Sequence, residues 1–354
     1  MNLAVPLTAL VVLLLSGCVA AALTGLVRKL ALQRGMIDVP NARSSHTRPT
    51  PRGGGLAIVA TALGGTLLCA AFAPLPVAVL AALLLGGGAV ATVGYIDDQG
   101  GLPATQRFVV HVSAGALAAG LLGLGNGEPI LPLLPTALIL CLLWLGVVWS
   151  INLFNFMDGI DGIAASQAVF VSGSSAALVL GTHGPNAAVL VLLLTAGACL
   201  GFLVWNWPTA RIFMGDVGSG FLGFWLASLA ILMAQSGSLS LWTSIVLGSL
   251  FGADATVTLL RRVIAGETWY EAHRSHAYQH QARRWGSHRP VTLGLWAVNL
   301  AVVLPLAVVA ERNPAAAPSI AVAVLAVFGA ACWMAGAGRS VDTEREERSQ
   351  AVRV

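Results

Sequence analysis

Charge is what this chain lacks. Only 10% of its 354 residues are Asp, Glu, Lys or Arg, where a soluble domain carries about a quarter. A surface so poor in charge cannot stay in water, which excludes an ordinary soluble enzyme. Cysteine is scarce too. Cys18, Cys69, Cys141, Cys199 and Cys332 lie singly inside apolar runs, with no CxxC and no Cys/His ligand spacing. That excludes a disulfide framework and leaves them as small packing residues. Hydrolase and nucleotide-fold signatures are also missing: there is no GxSxG, no strand-bounded GxGxxG and no GxxxxGK[ST]. What remains is 57% hydrophobic residues and a mean hydropathy of +0.82, so lipid is the solvent of most of the chain. The 40 glycines suit helices that approach closely in a membrane.

A bilayer core of about 30 Å needs about 20 apolar residues in a helix. Eleven runs qualify: 3–27, 54–73, 75–96, 108–124, 130–150, 163–180, 187–206, 217–234, 241–260, 291–310 and 317–336. Pro74-Leu75-Pro76 alone splits the second from the third, so a re-entrant pair is an alternative there. Leu15-Ser16-Gly17-Cys18 resembles a lipoprotein cleavage box. No positive segment precedes it, however, and the apolar run continues to Val27, which favours an uncleaved helix. The expected fold is all-α, a polytopic integral membrane protein of about eleven transmembrane helices over 1–336. The tail 337–354 has mixed charge and no apolar face, and is expected to be disordered.

The basic residues orient this bundle. With eleven spans, loops 28–53 and 261–290 hold six Lys/Arg each, the tail after 336 holds four, and 97–107 and 207–216 hold one each. Loop 151–162 on that side has none. Of the 19 Lys/Arg, 18 thus fall on one side and only Arg312 on the other. By the positive-inside rule that side is cytoplasmic, with the amino terminus outside and the carboxyl terminus inside. The net charge of +4 is loop charge suited to lipid head groups and phosphates, with no nucleic acid implied.

Only 15 acidic residues exist, and their placement is uneven. Asp97 and Asp98 close the third run. Asp158 and Asp161 lie in Asn152-Leu-Phe-Asn155-Phe-Met-Asp158-Gly-Ile-Asp161-Gly162, and Asp216 lies in Phe213-Met-Gly-Asp216-Val-Gly-Ser219. All five fall at helix ends on the cytoplasmic side. Clustered carboxylates repel unless a cation holds them, and a hard ion, Mg²⁺ with Mn²⁺ as the alternative, suits oxygen ligands. Helix capping accounts for Asp216, which precedes a helix. It accounts poorly for Asp97 and Asp98 at a helix end, where the dipole disfavours anions. Asn152, Asn155, Asp158 and Asp161 recur every third residue, the spacing of one helical or 3₁₀ surface.

Two basic loops face these carboxylates. Asn41 to Gly55 carries Arg43, His46, Arg48 and Arg52 among prolines and glycines that shape a turn. His273-Arg274-Ser275-His276-Ala277-Tyr278-Gln279-His280 lies in a loop with five further arginines. Three histidines could suggest zinc, but no cysteine is near and the arginines repel cations, so phosphate binding is the better reading.

At these residues the chain resembles the polyprenyl-phosphate N-acetylhexosamine-1-phosphate transferases, and the match runs in order through nearly its whole length. Arg43, His46, Pro49-Thr50-Pro51-Arg52 and Gly54-Gly55 are similar to that family's first cytoplasmic loop, and Asp97-Asp98 to its aspartate pair. Asn152 to Gly162 is similar to its Asn-x-x-Asn-x-x-Asp-Gly-x-Asp-Gly motif, and Phe213 to Ser219 to its metal-binding motif. Asp254 with Arg261-Arg262 matches a further element. Many members follow Arg-Ser-His with more histidines. Here Ala277-Tyr278-Gln279 intervenes before His280, as in the O-antigen-initiating branch that uses UDP-N-acetylfucosamine or UDP-N-acetylquinovosamine.

The resemblance implies transfer of a sugar 1-phosphate from a UDP-N-acetyl sugar to polyprenyl phosphate at the cytoplasmic face of the bacterial inner membrane, with release of UMP. It implies Asp216 as principal metal ligand, Asp98 as its support, and Asp97 as the group that positions or deprotonates the lipid phosphate. His276 with Arg274 would hold the diphosphate. Arg43, His46, Arg52, Asn152, Asn155, Asp158, Asp161, His273 and His280 would bind substrate. Asp254 is left open between the site and a buried pair with an arginine, and assembly as a homodimer is left open too. The rival is a transporter or flippase of a lipid-linked sugar. It would place polar groups at mid-membrane between repeats, whereas the acidic residues here gather at one face.

Overall fold

All eleven apolar runs form helix in the computed structural model, which describes residues 4–40, 48–124, 130–131, 133–184, 186–267 and 273–339. The helices are α1 (Ala4–Gln33), α2 (Gly55–Ala70), α3 (Val77–Gly100), α4 (Ala104–Gly123), α5 (Thr136–Phe156), α6 (Ile163–Thr182) and α7 (Ala187–Asn206). They continue with α8 (Asp216–Gln235), α9 (Leu241–Leu247), α10 (Ser249–Ile264), α11 (Ala277–Trp285), α12 (His288–Arg312) and α13 (Ala317–Met334). Among the described residues the only strands are Ile37–Asp38 (β1) and Thr50–Pro51 (β2), an antiparallel pair with Ile37 opposite Pro51. The protein is therefore an all-α, multi-pass membrane protein.

Among the described residues eight helices are long and apolar enough to cross a bilayer: α1, α3, α5, α6, α7, α8, α12 and α13. The remaining three runs are less regular. The second is only the 16-residue α2, and the fourth, α4, carries Arg107 and His111. The ninth corrects the expectation of one straight helix over 241–260, because α9 and α10 are bent by 73° at Gly248. The bend leaves the Leu247 carbonyl without a helical partner, and buried Gln167 on α6 donates to it at 3.1 Å. Asn299, within a π-helical turn of α12 (Asn299–Val303), donates in turn to Gln167 at 2.7 Å. An unmet carbonyl in an apolar interior costs several kcal/mol, so this side-chain relay is what makes the bend affordable. Asn299 also shows that mid-helix positions are not uniformly apolar.

Helix α8 is central, with Phe221, Phe224 and Trp225 fully buried. It approaches α3 so closely that a Cβ on Gly94 would collide with the Asp216 backbone. At one end of the bundle the segments 48–54, 97–107, 157–162, 207–216 and 273–288 hydrogen-bond to one another. At the other end Glu311 accepts from the Ser240 N–H at 3.1 Å and the Thr243 hydroxyl at 2.6 Å. The loops near 237 and 313, which the charge count assigned to one side, thus lie together. Residues 340–354, most of the expected tail, lie outside the described residues.

Candidate active site

The site is built around Asp98. Its carboxylate accepts from Arg52 Nε at 3.1 Å and Nη2 at 2.5 Å. It also accepts from the Asp216 and Val217 N–H groups at 3.0 and 3.1 Å. Asp98 ends α3 but caps α8, where the helix dipole favours an anion. Sequence reasoning discounted capping because it considered only the helix to which Asp98 belongs. Gly215, at φ +77°, lets the chain turn here, and a Cβ on it would meet the Asp98 carboxylate. Burial works against the charge of Arg52, but Asp98, with Asp216 and Asp38 behind it, holds its pKa above the usual value.

Arg107 joins the other two carboxylates. Its Nη1 lies 2.6 Å from Asp97 Oδ2 and 3.1 Å from Asp216 Oδ2, and Asp97 also accepts from the Leu102 N–H. Sequence reasoning had counted Arg107 only as loop charge. One turn further along α4 lies buried His111.

The three-residue repeat does not lie on one continuous helix. Asn152 and Asn155 belong to the last turn of α5, which ends at Phe156, while Asp158 and Asp161 lie in the loop beyond. Tyr278 helps end the helix: its hydroxyl donates to the Phe156 carbonyl at 2.9 Å and accepts from the Gly159 N–H at 2.9 Å. Asn206 braces the loop from its other side, accepting from Gly162 N–H and donating to the Ile212 carbonyl, both at 2.9 Å. Asp161 accepts from the Ala210 N–H at 3.0 Å and meets His288 Nδ1 at 3.3 Å. Asp158 faces an excess of negative charge. Burial, then Asp216, Asp98 and Asp161, push its pKa well above the carboxylate range.

His276 is buried behind this loop. Its Nδ1 lies 3.3 Å from Asp254 Oδ1, and its Nε2 has no hydrogen-bond partner among the described residues. The ring stacks on His273 and Tyr278 at 5.0 and 5.7 Å. Asp254 also accepts from the Ala277 and Tyr278 N–H groups at 2.9 and 3.0 Å. It therefore caps α11 and holds His276. Of the two arginines matched with it, Arg262 pairs with Glu267 at 2.5 Å and Arg261 lies over Trp333 at 4.2 Å. Burial, with His276 and Arg262 nearby, lowers the His273 pKa to about 3, so this imidazole is neutral at physiological pH. His280 Nδ1 lies 2.9 Å from Arg283 Nη2. Arg43 and His46 lie outside the described residues.

Beyond the 157–162 loop opens a cavity of about 820 Å³. Arg28, Arg48, Arg211, Arg274 and Arg283 line it, with Phe213 on its wall and Asp161 its one carboxylate among the described residues. Arg274 is part of this lining, while His276 is not. The arrangement sets a carboxylate cluster and an arginine-rich cavity on two sides of one loop, suited to an anionic ligand and a cation together.

The donors fit a hard divalent cation in chemistry: they are carboxylate oxygens, and among the described residues the charges acting on Asp158 are other carboxylates. Asp98 retains an acceptor position on Oδ2 after its contacts are counted. Among the described residues no three His, Cys, Asp or Glu groups already stand as a ligand set.

Fold and site together define a multi-pass membrane protein with a carboxylate cluster and an arginine-lined cavity at one end of the bundle. Residues 80–234 match the model of Glycosyl transferase family 4. The chain is 30% identical over 307 residues to the decaprenyl-phosphate N-acetylglucosaminephosphotransferase of Mycobacterium tuberculosis, covering 76% of this chain and 74% of that one. It is 29% identical over 288 residues to the probable undecaprenyl-phosphate N-acetylglucosaminyl 1-phosphate transferase of Bacillus subtilis, covering 78% of each. It is also 29% identical over 279 residues to the phospho-N-acetylmuramoyl-pentapeptide-transferase of Lactococcus lactis, covering 70% of this chain and 82% of that one. The chain belongs to Glycosyl transferase family 4, among its polyprenyl-phosphate sugar-1-phosphate transferases. It is a phospho-sugar transferase, and the transporter reading gives way.

Proposed function

We propose that this enzyme transfers an N-acetylhexosamine 1-phosphate from a UDP-sugar to undecaprenyl phosphate, giving the polyprenyl-diphosphate-sugar and UMP. The observation that carries this reading is the pairing of the carboxylate cluster with the arginine-lined cavity across the 157–162 loop. The nucleotide diphosphate suits the cavity, with Arg274 and Arg48 against its oxygens and Phe213 against the uracil. The lipid phosphate suits the Arg107 end, beside Asp97. An oxygen of the lipid phosphate attacks the sugar-bearing phosphorus, the bond from that phosphorus to UMP breaks, and UMP leaves with the electron pair. The lipid phosphate is already an adequate nucleophile, so Asp97 and Arg107 have to position it more than activate it. Asp216, with Asp98 behind it, would hold Mg²⁺ (or Mn²⁺), which supplies screening of the diphosphate and of the charge developing on UMP.

The loops of the site end hold 18 of the 19 Lys/Arg, which supports a cytoplasmic site in a bacterial inner membrane with eleven crossings. The run His276-Ala277-Tyr278 supports the branch that initiates O-antigen or a related envelope polysaccharide on a 6-deoxy N-acetyl sugar.

The test is UMP release by purified protein given undecaprenyl phosphate, Mg²⁺ and a panel of UDP-N-acetyl sugars. Release should need both lipid and metal, and Asp216→Asn should abolish it in protein that still folds. Near-normal release from Asp216→Asn would remove the metal assignment. Silence with every sugar, from folded protein that binds none of them, would remove the activity itself.

A further inference from the structure

Trp205, in the last turn of α7, carries two guanidiniums. The Arg28 and Arg211 Cζ atoms lie 5.9 and 5.1 Å from its ring centroid. Arg28 Nε also donates to the Arg211 carbonyl at 3.1 Å, and the indole N–H donates to the Ala21 carbonyl at 2.9 Å. The ring is thereby fixed between α1 and α7. Two like charges held over one ring repel each other, and the indole face only partly offsets that repulsion. An anion between them would do more.

Beside this pair an apolar groove of about 790 Å³ runs between the end of α7 and the start of α12. Leu200, Leu203, Val204, Trp207, Leu293 and Trp296 line it, and it meets the basic cavity at Pro208, Thr209 and Arg211. Leu200, Val204 and Leu293 are 41%, 58% and 47% exposed on membrane-spanning helices, so the groove opens to acyl chains. Trp205, Trp207 and Trp296 set it at the depth of the membrane interface. Asp97, Arg107 and Asp216 do not line the groove, so a lipid held in it stands apart from the place proposed for the acceptor phosphate beside Asp97 and Arg107.

We propose that this groove and its paired arginines bind an acidic glycerophospholipid of the surrounding bilayer, one acyl chain in the groove and the phosphate between Arg28 and Arg211. A zwitterionic lipid would bring its own cation against the guanidiniums, and a water-soluble phosphate has no chain for the groove.

The test uses tryptophan quenching by bromine on lipid chains, with the full chain in phosphatidylcholine nanodiscs. Phosphatidylglycerol with brominated chains, as a minor component, should quench with about tenfold preference over brominated phosphatidylcholine at the same fraction. The excess should disappear in Trp207→Phe/Trp296→Phe and in Arg28→Gln/Arg211→Gln, while glycerol 3-phosphate and UDP leave it in place. Equal quenching by the two lipids in the unaltered protein overturns the proposal without recourse to any variant. Recovery of fluorescence on adding UDP would also overturn it, by giving the arginines to the nucleotide alone. So would recovery on adding undecaprenyl phosphate, by giving the groove to the acceptor. The readout is binding, so a failure of the transferase assay leaves this result intact.

Discussion

Asp158 stands where function and stability pull apart. Burial and three neighbouring carboxylates raise its pKa well above the usual range. The folded protein therefore holds a proton that the unfolded chain gives up from about pH 4 upward, so stability is lost as pH rises and does not return at neutrality. Asp158→Asn should raise the unfolding temperature at pH 8, with the gain shrinking toward pH 4, while UMP release falls about 100-fold. Thermal unfolding in detergent at the two pH values reads the first effect, and an unchanged midpoint at pH 8 would count against an uncompensated charge. Tyr278→Phe should act through geometry. It removes one hydroxyl that holds both Phe156 and Gly159, costs about 1–2 kcal/mol of stability, and lowers kcat more than it raises KM. Asp97, Asp98, Asp158 and Asp216 could be read from the sequence because carboxylates are few and stand at helix ends. Asn206 and Tyr278 could not. Each acts on the 157–162 loop from a distant part of the chain, and neither residue type is unusual in its local setting.

At the scale of helices, the eleven runs were legible because a bilayer demands length and apolarity together. The bend at Gly248 was not. Gly248-Ser249 permits a kink there without requiring one, and the groups that satisfy it are distant: Gln167, 80 residues before Leu247, and Asn299 on α12. α10 beyond the bend carries Asp254, which caps α11 and sets His276 and Tyr278. Gln167→Leu should therefore cost about 1–3 kcal/mol and also lower transfer, although Gln167 touches no substrate in the proposed reaction. Denaturation midpoint and kcat measured on the same preparation check it. A loss of stability with kcat intact would show that the bend does not set the site.

For the whole molecule, segregation of basic loops predicts sidedness. With the native cysteines replaced, Gly286→Cys should be labelled by an impermeant maleimide only in inside-out vesicles, and Asn313→Cys only in right-side-out ones. Labelling of both from one side would break the eleven-crossing topology. The same architecture bears on how the protein is made. Asp98 accepts from Arg52, 46 residues earlier, and from the amide of Asp216, 118 residues later. As the chain is synthesised, its first partner is already present when Asp98 emerges, while the second arrives only after four more helices, at the start of α8. The nascent protein therefore carries a half-neutralised carboxylate at the membrane surface through most of its insertion. Entry of α8 then completes the site and locks the two halves of the bundle in a single late step.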